Sequence, residues 1–151
     1  MIIKRAKKIR LEALRLIIDM RCVRGNTVGI IFLILFRLFR ILHLTGIPVF
    51  STIVSFSYNI IMRLFFCAEF SLKIDAGAGL CVFHGIGMVV HEKTRFMRNV
   101  VIRQNCTIGT DRFSGKGIVV PRGCQFGAGC VVLSEEGLHA FKTIKACSVV
   151  K

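Results

Sequence analysis

Cysteine, carboxylate and histidine side chains set what chemistry this chain can do. The seven cysteines are an odd number, and no two form a Cys-x-x-Cys pair. That spacing speaks against a disulfide framework and against a zinc site, so no metal is expected. The first residues do not read as an apolar leader with a small-residue cleavage site, and a reducing cytoplasmic setting is expected. Each cysteine then reads as a small buried apolar residue. The histidines are His43, His84, His91 and His139. A neutral imidazole titrates near cellular pH, which suits it to take a proton from a hydroxyl. His43 and His139 have no supporting context. On the residues alone, His84 is either a core histidine satisfied by a backbone carbonyl or a general base.

The elements that hold His84 come from a six-residue period. Leu72, Ala78, His84, Val90, Phe96, Ile102 and Ile108 recur at that spacing, as do Phe70, Ala76, Val82, Met88, Thr94, Val100 and Cys106. The pair of columns resumes with Ile118/Val120, Cys124/Phe126 and Cys130/Val132, then decays through Glu136/Leu138, Lys142/Ile144 and Ser148/Val150. Six is neither a helical period nor that of a strand meander. It fits a triangular solenoid in which each side is a short strand and the repeated apolar residues point inward. His84 is expected in an otherwise apolar inner column, with His91 one residue off it and facing out. Glycines such as Gly77, Gly87 and Gly127 fall where corners turn. Residues 109–117, Gly-Thr-Asp-Arg-Phe-Ser-Gly-Lys-Gly, interrupt the period as an extruded loop.

Before residue 67 the composition is different. Residues 1–66 are basic and apolar, with helical patterns over 1–24, 28–43 and 50–66 and breaks at Gly25-Asn26 and Gly46-Ile47-Pro48. The chain therefore divides into a helical segment, 1–66, and a repeat region, 67–151. Apolar residues make up 54% of the chain, and mean hydropathy is +0.66. Such a chain either sits at a membrane or buries surface against copies of itself. The uncharged run 45–62 reaches spanning length, but Pro48 and its serines make it a poor span. Two readings stand for the helices. They lie on a membrane surface with arginines near lipid phosphates, or they cap the repeat and pack in an oligomer. The net charge of +14 calls for an anionic partner. Nucleic acid is the least favoured, since the charge sits on an apolar helical segment with no recognition motif.

Three stretches resemble the serine acetyltransferase-like branch of the hexapeptide-repeat acyltransferases: Phe83-His84-Gly85-Ile86-Gly87-Met88-Val89-Val90, 99–109 and Gly127-Ala128-Gly129-Cys130-Val131-Val132-Leu133. Arg24-Gly25-Asn26, with Phe36-Arg37, is similar to the helical lead-in of members that acetylate surface sugars. The resemblance implies a mainly β fold, a left-handed parallel β-helix preceded by helices. It also implies a homotrimer with acetyl-CoA bound between neighbouring coils. His84 takes the place of the general base, and Glu69, fifteen positions upstream, that of the carboxylate that orients it. Gly109, Thr110, Gly127, Ala128 and Gly129 are expected to contact CoA, and Asp111 and Arg112 the acceptor. Lys116, between two glycines, either meets a CoA phosphate through its charge and free backbone amides or is an ordinary solvated lysine.

Departures bear on the acceptor. Serine-specific members carry an Asp where Phe83 stands, and a second histidine where Phe113 stands. The expected function is therefore acetyl transfer from acetyl-CoA to a sugar hydroxyl in surface-polysaccharide assembly. The work would be done in the cytoplasm or on the inner face of the cell membrane, with residues 1–66 in contact with it. L-serine is the alternative acceptor, and a non-catalytic membrane scaffold is the alternative of another class.

Overall fold

The computed structural model describes residues 2–109 and 117–151. Three helices open it: α1 (Ile2–Cys22), α2 (Thr27–His43) and α3 (Pro48–Phe66). Asn26 starts α2 as its N-cap, its side-chain oxygen accepting from the Gly29 N–H at 2.7 Å. Pro48 starts α3 at a position that lacks a helical N–H partner anyway. Cys67 ends α3 in the left-handed region, where the Cys67 N–H and Ala68 N–H close on Arg63 and Met62 carbonyls.

Short parallel strands follow. The first coil holds β1 (Glu69–Phe70), β2 (Asp75–Ala76) and β3 (Cys81–Val82); the second holds β4 (Val89–Val90), β5 (Arg95–Phe96) and β6 (Val101–Ile102). The third holds β7 (Thr107–Ile108), β8 (Val119–Val120) and β9 (Gln125–Phe126); the fourth holds β10 (Val131–Val132) and β11 (Thr143–Ile144), and β12 (Val149–Val150) opens the next turn by stacking on β10. They stack as three faces of a prism: β1-β4-β7-β10-β12, β2-β5-β8 and β3-β6-β9-β11, all parallel. This is the parallel solenoid expected from the period, about four turns long, and it matches the left-handed β-helix that the resemblance implies.

The second residue of each strand points inward, giving a column of Phe70, Val90, Ile108 and Val132 on the first face. The register corrects one expectation. Strands in the first coil start six residues apart, but β3 and β4 start eight apart. The two extra residues enlarge the corner at 83–88 and shift the phase. The expected column through Leu72, Ala78 and His84 therefore does not form: Leu72 is buried, Ala78 is half-buried and His84 is exposed. In the first coil Phe70, Leu72, Ile74 and Ala76 are all buried. A slip of two residues thus leaves the apolar pattern nearly unchanged.

The helices cap the first coil. Phe32 and Phe36 of α2 meet Phe70 edge-on at centroid distances of 5.3 and 4.9 Å, and Phe32 meets Phe66 at 5.3 Å. Each such pair adds about 0.5–1.5 kcal/mol beyond burial. Charged side chains complete the cap, because the coil's outer backbone groups have no strand to pair with. Arg37, fully buried, donates to the carbonyls of Ala76 at 3.0 Å and Gly77 at 2.9 Å, and to Glu12 at 2.6 Å and Asp19 at 2.9 Å. Arg40 donates to the carbonyls of Leu72 and Ile74. Asp19 accepts from the N–H groups of Gly79 at 2.7 Å and Leu80 at 3.0 Å. Arg37 and Arg40 therefore face the solenoid, not lipid phosphates.

Candidate active site

His84 sits in the enlarged corner between β3 and β4, exposed and with φ +68°. Histidine tolerates the left-handed region better than most side chains, yet the conformation still costs roughly 1 kcal/mol. Two glycines show how tightly the corner is built. A Cβ on Gly87 would lie 2.1 Å from Asn105 Oδ1, and one on Gly29 would lie 1.9 Å from the Val82 carbonyl. The start of α2 is thereby pressed against β3, which brings Asn26 to His84.

Asn26 holds the histidine from two sides. Its Oδ1 accepts from the His84 N–H at 3.4 Å, and its Nδ2 donates to His84 Nδ1 at 3.4 Å. The Gly29 N–H fixes which amide atom is the oxygen. A neutral ring that accepts at Nδ1 carries its proton on Nε2. Asn26 shows in the sequence only as a helix start signal ahead of an apolar run; its contact with His84, 58 residues away, has no local signature.

Glu69 lies elsewhere on the first face. Its side chain points out of β1 and accepts from Arg63 of α3 at 3.1 Å. Both groups are more than half exposed, so the pair is worth at most about 1 kcal/mol. Glu69 lines a cleft of about 470 Å³ that also includes Asn59, Arg63, Ser71, His91 and Gly109. His84 does not line it, and no hydrogen bond joins Glu69 to His84 among the described residues. His91 is half-buried in this cleft rather than simply facing out, its Nδ1 accepting from the Lys93 N–H. Beside it, the hydrogen bond from Lys73 holds the Glu92 carboxyl below its ordinary range.

The remaining expected residues fall along two edges of the prism. One edge stacks the His84 corner, then 103–106, 127–130 and 145–148. Asn105 N–H donates to the Ile86 carbonyl, Gly129 N–H to Gln104 and Cys147 N–H to Ala128. Gly127, Ala128 and Gly129 thus share an edge with His84, two coils away, roughly 10 Å at the usual strand spacing. Gly109 stands on the other edge of the same face, next to His91. Thr110, Asp111, Arg112 and Lys116 lie outside the described residues. Among the described residues no cluster of His, Cys and carboxylate could hold a metal ion. The first face, with Glu69, Val89 and Thr107 along it, is thus bordered by His84 and Gly127–Gly129 on one side and Gly109 on the other.

The helices and solenoid that position these residues have counterparts among solved structures. The chain has the fold of the serine acetyltransferases. It superposes on the Neisseria gonorrhoeae serine acetyltransferase with a TM-score of 0.75 at 19% identity, covering 91% of this chain and 58% of that one. The Brucella abortus enzyme gives a TM-score of 0.71 at 20% identity, covering 91% and 63%. A serine acetyltransferase in complex with CoA gives 0.75 at 18% identity, covering 97% and 65%. This chain therefore spans about three fifths of the length of the acetyltransferases it matches. No family model matches it, and no curated protein matches it by sequence.

Proposed function

We propose that the protein is an O-acetyltransferase that carries acetyl from acetyl-CoA to a hydroxyl, and that the acceptor is a sugar of a surface polysaccharide. The observation that carries the proposal is His84: an exposed imidazole, held in a left-handed corner, on one edge with Gly127–Gly129. The acceptor oxygen attacks the thioester carbonyl; the C–O bond forms and the C–S bond breaks. His84 takes the hydroxyl proton and returns it to the departing thiolate. To accept at Nε2, the ring exchanges its Asn26 donor for an acceptor on Nδ1, the role proposed for Glu69 once it leaves Arg63. Gln104 lies on the same edge, its Oε1 buried without a partner among the described residues, which suits an amide N–H of the CoA pantetheine arm. Thr110 and Lys116 are proposed to meet CoA from the loop, and Asp111 and Arg112 the acceptor. A homotrimer, with a neighbour closing the first face, is part of the proposal.

A second reading, with L-serine as acceptor, draws on the similar structures, which include serine acetyltransferases in complex with serine and with cysteine. Phe83 counts against it. Its ring is half-buried with the Arg103 guanidinium 5.5 Å from its centre, and it offers no polar group to an amino acid.

Release of free CoA from acetyl-CoA, followed with sugar acceptors and with L-serine, tests both. His84→Asn keeps a residue suited to the corner and removes the base, so turnover should fall roughly 10²–10⁴-fold. Undiminished turnover in His84→Asn would overturn the proposal. A non-catalytic scaffold is recognised separately, since acetyl-CoA would then leave the melting temperature unchanged.

A further inference from the structure

The outer side of the helical layer is apolar and carries only positive charge. Residues 1–68 contain two carboxylates, Glu12 and Asp19. Both are buried against Arg37, so neither reaches the surface. Lys7, Lys8, Arg10, Arg21 and Arg24 are all exposed.

Each helix turns one face to the core and another outward. On α3, Val54, Tyr58, Met62 and Phe66 are buried. The opposite face carries Val49, Ile53, Phe56, Ile60 and Leu64, spaced i, i+4, i+7, i+11, i+15, with Phe56 67% and Leu64 73% exposed. That stripe runs about 22 Å at 1.5 Å per residue. On α2, Ile31, Leu38 and Leu42 lie opposite the Phe32/Phe36 face. On α1, Arg10, Leu14, Ile17 and Arg21 share a face opposite Glu12 and Asp19. α2 packs against both of the other helices.

We propose that this outer face of α1–α3 binds the surface of an anionic lipid bilayer. The proposal goes beyond acetyl transfer and does not depend on it. Apolar stripes enter the acyl boundary while the α1 cations meet lipid phosphates. α3 is long and apolar enough to cross a membrane by length and composition, but its Tyr58/Phe66 face belongs to the protein core. The helix therefore lies along the surface with its other face down. A second copy is the poorer occupant, because a symmetric contact sets the same cationic face against itself.

Sedimentation of the full chain with vesicles tests this, using phosphatidylcholine with and without phosphatidylglycerol. The protein should sediment with the anionic vesicles, and less so as salt rises. Ile53→Glu with Phe56→Glu should weaken binding roughly tenfold or more, with the melting temperature retained because both residues face outward. The chain has no tryptophan, so Phe56→Trp introduces a single fluorescent reporter. Its indole emission should shift to the blue on anionic vesicles and be quenched by brominated lipid. Absence of sedimentation, binding indifferent to the glutamates, or indole emission that brominated lipid leaves unquenched would each overturn the proposal. Loss of an oligomer in the glutamate variant, with no vesicle binding by the parent chain, would assign the face to self-association instead.

Discussion

At the scale of single residues, the site rests on which group faces the His84 ring. Asn26 both caps α2 and donates to His84 Nδ1, so its substitutions separate the two roles. Asn26→Ala should cost about 1 kcal/mol through the lost cap, read as a lower denaturation midpoint. Asn26→Asp keeps a good cap but replaces the donor with a carboxylate. The neutral ring would then carry its proton on Nδ1 and the imidazolium would be favoured, moving the acid limb of the pH–rate profile upward. Glu69 is tested against Arg63. Glu69→Gln should leave stability within about 0.5 kcal/mol, since the ion pair is exposed. A fall in turnover without a fall in stability would therefore mark a role in the reaction. His84 was the residue the sequence singled out, and its chemistry-bearing type was legible there. Its exposure was not, because a corner with two extra residues reads as one more step of an apolar column.

At the scale of elements, the junction between helices and first coil is held by buried charge. Arg37→Ala leaves Asp19 buried without its counter-ion, while Glu12 keeps Arg15 and Arg40, and should cost about 3–5 kcal/mol; a urea titration measures it. Asp19 also links stability to pH. Burial raises its carboxyl to about 6, against the opposing pull of Arg37 and of the Gly79 and Leu80 amides. A carboxyl with a raised native pKa contributes stability that is full below the unfolded value near 4 and lost as pH rises through about 6. Asp19→Asn should flatten the fall in stability between about pH 4 and pH 6 while keeping an acceptor for the two amides. The helices themselves were legible: Gly25-Asn26 and Pro48 punctuate them, and the six-residue period announces the solenoid. The destinations of Arg37 and Arg40 were not. A cation on an apolar helix reads equally as a lipid contact or as a partner for a distant backbone, and only the packing of α2 on the first coil decides.

For the whole molecule, the helical layer separates two environments: an apolar, cationic outer side and a hydrogen-bonding inner side. The inner side has a consequence for assembly. The first coil would otherwise present an open strand edge, the kind of surface on which another solenoid can template. Arg37, Arg40 and Asp19 occupy that edge with side chains in place of a strand. A chain shortened to residues 67–151 would bare it, together with Phe70 and the rest of the coil's interior. Such a fragment should stack end to end into filaments visible by electron microscopy, while the full chain stays in discrete particles. The helices would then serve as a terminator of β-sheet growth, keeping a fold that propagates by repetition from continuing into its neighbours.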